Sequence, residues 1–385
     1  MAEVIGDDMK RVGGLWDELS SFSNLLGAAE AAAAGKRRRL DVASFLMELE
    51  PNLCTLRREL LEGSYRPGEY RSFEILYPKR RQISAAPFRD RVVHHALTRM
   101  LEPVFESRFS PYSFACRRGY GVHAALRLAR DSVKRYRYVL KCDVRKYFAS
   151  IDHEILKAKL ARVVKCRKTL ELAGTIIDGS NTQEELLFYF AGDDLFTPQE
   201  RRRGLPLGNQ TSQFFANLYL NGLDHAVRKG LAPGNYARYV DDFVIFGDCK
   251  ERLRAMREEV KAWLEQDRLL LHEGKSRLYR CQDGVSFLGW RLFPSRTRLV
   301  RENVMRCAQR MRELETNWNE GKIAWDTVRQ SVAAWIGHAS FGDTAGLRQR
   351  MMDRYGFAVH GGGPSRGGAG RVLQQQCEEP ARVEP

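Results

Sequence analysis

The stretch Tyr239-Val240-Asp241-Asp242-Phe243-Val244-Ile245 sets two adjacent carboxylates between apolar, β-prone residues. A solvated turn is the usual setting for an Asp-Asp pair, but such turns seldom follow Tyr-Val and precede Phe-Val-Ile-Phe. The pattern predicts a hairpin over Tyr236–Gly247 with the acids at its tip. Another acid, Asp143, closes the β-type run Tyr136–Val144, within Lys141-Cys142-Asp143-Val144-Arg145-Lys146-Tyr147-Phe148. A strand end and a hairpin tip can bring three carboxylates together from distant parts of the chain. That cluster is unfavourable unless cations neutralise it. Two Mg²⁺ ions about 4 Å apart would do so and would clamp an in-line phosphoryl transfer. Magnesium suits the task because it takes oxygen ligands and shares them with substrate phosphates.

Outward from this centre, the N-terminal side reads as helical from Trp16 to Leu61, with an alanine-rich run at Ala28–Ala34. Gly63, Pro67 and Gly68 break that pattern. Tyr70–Ser84 predicts strand, basic turn, strand, and Asp90–Phe105 a helix. Leu205–Val227 is expected to be mostly helical, and Val285–Leu292 a short strand segment. Val304–Tyr355 reads as helical, with Trp318, Trp325 and Trp335 available for a core. Disorder is expected from about His360, where Gly, Pro, Ser and Arg dominate.

Composition narrows the class. The 385 residues are 43 % hydrophobic, ordinary for a soluble globular protein. No apolar run approaches the roughly 20 residues needed to cross a bilayer. The polar stretch Met1–Arg11 lacks an apolar signal region, so a cytoplasmic location is expected. Eight cysteines are scattered without a C-x-x-C pair, which argues against a zinc site or a disulfide framework. Net charge is +15, with 63 basic against 48 acidic residues. Clusters at Lys36–Arg39, Lys79–Arg81 and Arg201–Arg203 favour a polyanionic partner over mere solubility.

Taken together, these segments resemble reverse transcriptases. Tyr239-Val240-Asp241-Asp242 is similar to that family's active-site box. Asp143 followed by Phe148 is similar to its other metal-binding motif, in which the aromatic ring packs on the sugar of the incoming nucleotide and excludes a 2′-hydroxyl. Pro78-Lys79-Arg80-Arg81-Gln82-Ile83 resembles the fingers hairpin, with Lys79 and Arg81 on the triphosphate. Ser113–Gly119, with Arg117 and Arg118, resembles a template-contacting turn. Leu271–Ser276 resembles the motif whose lysine, here Lys275, protonates pyrophosphate, and Phe287-Leu288-Gly289 resembles the primer grip. The resemblance implies an α+β right-hand polymerase fold. Its parts would be an N-terminal helical extension (1–70), fingers (71–135 and 153–210), a palm with an antiparallel sheet (136–152 and 211–292), a helical thumb (293–358) and a disordered tail (359–385). It also implies catalysis by Asp143, Asp241, Asp242 and Lys275, with metal held by those three aspartates and Val144. Two Mg²⁺ ions are the expected cofactors, with Mn²⁺ as a substitute.

The fourth motif narrows the resemblance. Most relatives read Gln-Gly, three residues, then Ser-Pro. Here it is Leu207-Gly208-Asn209-Gln210-Thr211-Ser212-Gln213. That form, with Gly192–Gly204 and Ala86–His95, resembles the reverse transcriptases of diversity-generating retroelements encoded by bacteria, archaea or phages. Leu207, Gly208 and Gln213 would then line the nucleotide site. The likeness implies copying of a template-repeat RNA into adenine-mutagenised cDNA, with dNTPs as substrates and an RNA–cDNA duplex as product. It implies a small basic, helical, pentameric accessory protein as partner, and Arg117, Arg118 and Arg201–Arg203 as contacts for RNA or that protein. No endonuclease or RNase H domain is expected in the short stretch Gly356–Pro385. The alternatives are a group II intron, retron or phage-defence reverse transcriptase and, from another class, a catalytically inactive RNA-binding protein.

Overall fold

The computed structural model describes residues 10–75, 80–180, 187–230 and 235–355. By backbone contacts the chain divides into two compact units. One holds 1–125, 140–245 and 250–278; the other holds 126–139, 246–249 and 279–385.

The first unit begins with α1 (Trp16–Leu19), α2 (Phe22–Ala33), α3 (Leu40–Met47) and α4 (Leu49–Glu62). Ser21 caps α2 by accepting the Asn24 amide at 3.1 Å. The hairpin strands β1 (Arg71–Ile75) and β2 (Arg81–Ala85) follow, and then the long helix α5 (Phe88–Glu106). Strand β1 is exposed throughout, so this ribbon projects from the body. Alanines of α2 let it lie close on α5, where Asn24 Nδ2 donates to the Ala96 carbonyl at 3.2 Å. The N-terminal helices therefore share one packed unit with α5. Asp90, buried on α5, fixes the chain leading into β1. It accepts from the Tyr65 hydroxyl at 2.9 Å and the Gly68 amide at 2.7 Å.

His94 lies fully buried on the same helix, and neither ring nitrogen has a hydrogen-bond partner. Burial, then neighbouring His95, pushes its pKa from 6.5 down to about 3. The unfolded chain protonates this ring near 6.5; the folded chain does so only near 3. Between those values the unfolded state holds more protons, so stability falls as pH drops through the window. His94→Leu removes two unpaired nitrogens from the core. It should raise the unfolding midpoint at pH 5 by several degrees and flatten the loss of stability between pH 6.5 and 4. Denaturant titrations across that range check this; parallel pH profiles for the two proteins would refute it.

After α6 (Val122–Arg135) come β3 (Tyr138–Asp143), α7 (Tyr147–Ser150), α8 (His153–Ala161), α9 (Arg167–Asp178) and α10 (Thr197–Glu200). Next are α11 (Gln210–Tyr219), α12 (Asn221–Lys229), β4 (Tyr236–Tyr239), β5 (Asp242–Gly247), α13 (Lys250–Gln266) and β6 (Arg277–Arg280). The helical stretch expected over Leu205–Val227 is two helices meeting at Leu220. The sheet order is β4-β5-β3-β6, with β4 and β5 antiparallel and Tyr239 opposite Asp242.

The second unit carries β7 (Val285–Phe287), β8 (Trp290–Leu292) and β9 (Thr297–Leu299) in an antiparallel sheet, then α14 (Arg301–Asn319), α15 (Trp325–Ala339) and α16 (Ala345–Arg354). The three helices enclose Met311, Leu314, Val328, Val332, Met351 and Met352, and the three expected tryptophans pack partly buried against them. This is the α+β polymerase architecture. The described cysteines are all free. Among the described residues no helix is long and apolar enough to cross a membrane. The stretch from His360 lies outside the described residues.

Candidate active site

One main-chain contact joins the hairpin tip to the end of β3, and a second ties that end to the Leu271–Ser276 stretch. The Val144 amide donates to the Asp241 carbonyl at 3.2 Å, and the His272 amide donates to the Asp143 carbonyl at 2.8 Å. Tyr239 and Asp242 pair across the hairpin, so Val240 and Asp241 form a two-residue turn. Val240 has φ +60°, a strained setting for a β-branched residue. Arg238 holds that strain in place: its Nη1 donates to the Val240 carbonyl at 2.9 Å.

The three aspartates lie close enough to feel one another. Burial first, then Asp143, raises the Asp241 pKa, while Lys275 and Arg81 oppose the rise. Asp242 is pushed up to about 6 by burial, with Lys141 opposing and the other two acids adding. Each outer carboxylate is held by a lysine. Lys275 Nζ donates to Asp143 Oδ1 at 3.0 Å, and Lys141 Nζ lies 3.4 Å from Asp242 Oδ2. Among the described residues no three His, Cys, Asp or Glu side chains form a ready metal cage. The expected convergence is thus one of backbone and charge, with two carboxylates turned to ammonium groups. The donor set still fits a hard divalent cation. Asp242 Oδ1 is buried without a partner, and the available ligands are carboxylate oxygens. Sequence reasoning missed Lys141, although it stands two residues before Asp143 and so shares its face of β3.

Of the residues expected at a nucleotide site, Leu207 and Gly208 pack against β2. The Leu207 carbonyl accepts the Ser84 amide at 3.2 Å, which anchors β2. Gly208 has φ +114°, and a Cβ there would sit 3.1 Å from Ile83 Cγ2, so glycine permits this approach. Gln213 Oε1 accepts the Cys116 thiol. Phe148 leans on Tyr147, ring centroids 5.7 Å apart, and its carbonyl accepts the Leu205 amide at 2.8 Å. Lys79 lies outside the described residues.

Several expected nucleic-acid contacts sit elsewhere. Arg201 is 8 % exposed, between Asp152 at 3.5 Å and Asp193 at 3.3 Å. Arg268 joins the same two acids. This network pins the 187–204 segment, so Arg201 is a buried structural cation and not a solvated contact. Arg203 donates to the Pro198 carbonyl at 2.9 Å, while Arg202 is exposed. Arg117 is likewise internal, 3 % exposed. It pairs with Glu106 at 2.7 Å, donates to the Ser110 and Ser113 carbonyls, and stacks 4.0 Å from the Tyr120 ring centroid. It shapes the turn; Arg118 beside it is exposed. In the second unit, Phe287-Leu288-Gly289 enters a tight hairpin. Leu288 and Gly289 have φ +47° and +83°, and Asn303 Nδ2 donates to the Gly289 carbonyl at 3.0 Å. A Cβ on Gly289 would meet that nitrogen at 2.5 Å.

The sequence is similar to those of known proteins. Protein YkfC of Escherichia coli (strain K12) is 26 % identical over 314 residues, 71 % of this chain and 78 % of YkfC. Nuclear intron maturase 2, mitochondrial, of Arabidopsis thaliana is 31 % identical over 137 residues, 31 % of this chain and 19 % of the maturase. Group II intron-encoded protein LtrA of Lactococcus lactis subsp. cremoris is 23 % identical over 181 residues, 46 % of this chain and 28 % of LtrA. The chain thus spans most of YkfC but under a third of either intron protein. Residues 77–292, more than half of its length, match the family model described as reverse transcriptase (RNA-dependent DNA polymerase), and the chain belongs to that family.

Proposed function

We propose that this chain copies a template-repeat RNA into error-prone cDNA for a diversity-generating retroelement, with synthesis at Asp143, Asp241 and Asp242. The observation that carries the catalytic part is the apposition of the hairpin tip to the end of β3, which couples the three carboxylates. These aspartates, with the Val144 main chain, would hold Mg²⁺. When bound, the metal neutralises phosphate charge and favours ionisation of the attacking hydroxyl. The protein's own part is to orient its carboxylates and keep them from water. In this reading Lys275 gives a proton to the departing pyrophosphate, and Phe148 closes the sugar side of the nucleotide site.

The retroelement reading rests on the Leu207 turn. Leu207 stands where most relatives have glutamine and has no polar group for the incoming nucleotide. A lost neutral hydrogen bond is worth on the order of 1 kcal/mol, about fivefold, so right and wrong pairs are held with a smaller margin. This loosening affects all four bases. The adenine preference is a separate property of the template strand or of the basic accessory protein. Likeness to intron proteins favours a second reading, an intron-type enzyme; Leu207 and Gln213 favour the first.

The test is deep sequencing of cDNA made on one RNA by wild type and Leu207→Gln. Wild type should concentrate errors at template adenines, and the variant should reduce them about fivefold while synthesis continues. A flat, low error spectrum from wild type would sink the retroelement reading and leave the intron-type one. Equal adenine error frequencies in both libraries would remove Leu207 from the explanation.

A further inference from the structure

An open cavity of about 900 Å³ lies between α8 and α9, lined also by Arg11 and Arg202. Its elements are well fixed. The Val12 amide donates to the Val163 carbonyl at 2.8 Å, and the Lys165 amide to the Val12 carbonyl at 2.8 Å. This parallel bridge fixes Val12 beside Val164, and Arg11 and Lys165 on either side of it both line the cavity. Arg11 Nη2 donates to the Val164 carbonyl at 3.1 Å. Among the described residues neither Arg11 nor Lys165 forms an ion pair.

The other cations of the cavity are held by acids. Lys157 lies between Glu154 at 2.6 Å and Asp178 at 3.1 Å. Arg167 pairs with Glu171 at 2.7 Å, and Arg202 lies 3.9 Å from Asp178. Five basic side chains thus line the cavity against two acidic ones, Glu171 and Asp178. Its floor is aliphatic, with Leu160, Ala161 and Leu170 and no aromatic ring among the lining residues. It offers no platform on which a base could stack. Its chemistry favours a chain of phosphates over bases, and a flexible polyanion over a flat protein face.

We propose that this cavity is an ancillary docking site for the phosphate backbone of the RNA, separate from the Asp143–Asp241–Asp242 site. The inference rests on the reading of the chain as an enzyme that copies RNA, and deepens it. Arg11 and Lys165 supply unpaired charge, while Glu154, Asp178 and Glu171 hold the remaining cations in fixed positions. Bound backbone releases counterions, so affinity here follows salt.

The experiment measures binding of long fluorescein-labelled poly(U) and, separately, extension of a short primer on a short RNA template. The combined variant Arg11→Ser, Lys165→Ser should bind poly(U) about tenfold more weakly at 0.1 M salt, with the slope of log affinity against log salt reduced by about 1.4. Glu171→Gln should shift affinity the other way. Short-template extension should be unchanged in both variants, which share the wild-type unfolding midpoint. Unaltered poly(U) affinity and salt slope in the double variant would overturn the proposal, including the case in which the cavity instead holds an acidic protein segment. Failure of wild type itself to extend the short primer would count against the enzymatic reading, independently of the cavity.

Discussion

Asp241→Asn removes primer extension by on the order of a thousandfold or more, about 4 kcal/mol of transition-state stabilisation, and leaves the fold at least as stable as wild type. The two halves of this result have one cause. Asp241 is largely buried, and burial together with Asp143 raises its pKa. Asparagine keeps the shape of the side chain at the hairpin tip and removes a charge that burial and a like-charged neighbour disfavour. Lys275 and Arg81 favour that charge, but the hairpin itself is held by main-chain pairing and by the Val144 amide on the Asp241 carbonyl. What is lost is an anionic oxygen that, in the proposed reading, would hold the metal. Mn²⁺ binding followed by electron paramagnetic resonance should therefore weaken in step with activity. Near wild-type extension by the variant would show that the site lies elsewhere. A large drop in unfolding midpoint would show instead that the carboxylate is structural.

The hairpin at Tyr236–Gly247 was legible in the sequence because both of its physical signals are local. Apolar β-formers flank the acids on each side, and a two-residue turn needs no distant partner. Helix α5 and the run ending at Asp143 were legible for the same reason. The breaks in the C-terminal helical stretch, at Gly321 and near Gly342, carried less signal than the continuous helical pattern around them. Charge was the less reliable guide. Arg201-Arg202-Arg203 is one basic run in sequence, yet Arg201 is buried between Asp152 and Asp193 while Arg202 is exposed. Spacing cannot show this, because the two acids reach Arg201 through tertiary packing. Arg117 misleads likewise: Glu106 and two carbonyls take up a guanidinium that reads as a free contact. The aspartates proposed as catalytic were singled out by their neighbours in sequence. The lysines that hold two of them, Lys141 and Lys275, needed the folded sheet to be paired with the right acids.

Arg238→Met should destabilise the protein by about 3–5 kcal/mol, a large effect from a residue the sequence leaves inconspicuous within Tyr-Ala-Arg-Tyr. The side chain is fully buried. Its Nε and Nη2 both donate to the Asp224 carboxylate at 2.6 Å, and Nη2 also donates to Ser113 Oγ at 2.9 Å. Removing the guanidinium leaves Asp224 buried with the Tyr236 hydroxyl, at 2.7 Å, as its remaining side-chain donor. An uncompensated buried carboxylate is the main penalty, so taking it away should recover part of the loss. The double variant Arg238→Met, Asp224→Leu should accordingly be more stable than the single Arg238 variant. Denaturant unfolding of the two single variants and the double variant forms a cycle that isolates this coupling. Activity adds a second readout. Arg238 Nη1 holds the Val240 carbonyl at a left-handed turn that a β-branched residue does not adopt readily. Without that bond the tip can relax and move Asp241, so the double variant should be well folded yet slow in primer extension. A single variant that loses less than about 1 kcal/mol would deny the ion pair its structural role. A double variant that is both stable and fully active would show that Val240 keeps its conformation without Arg238.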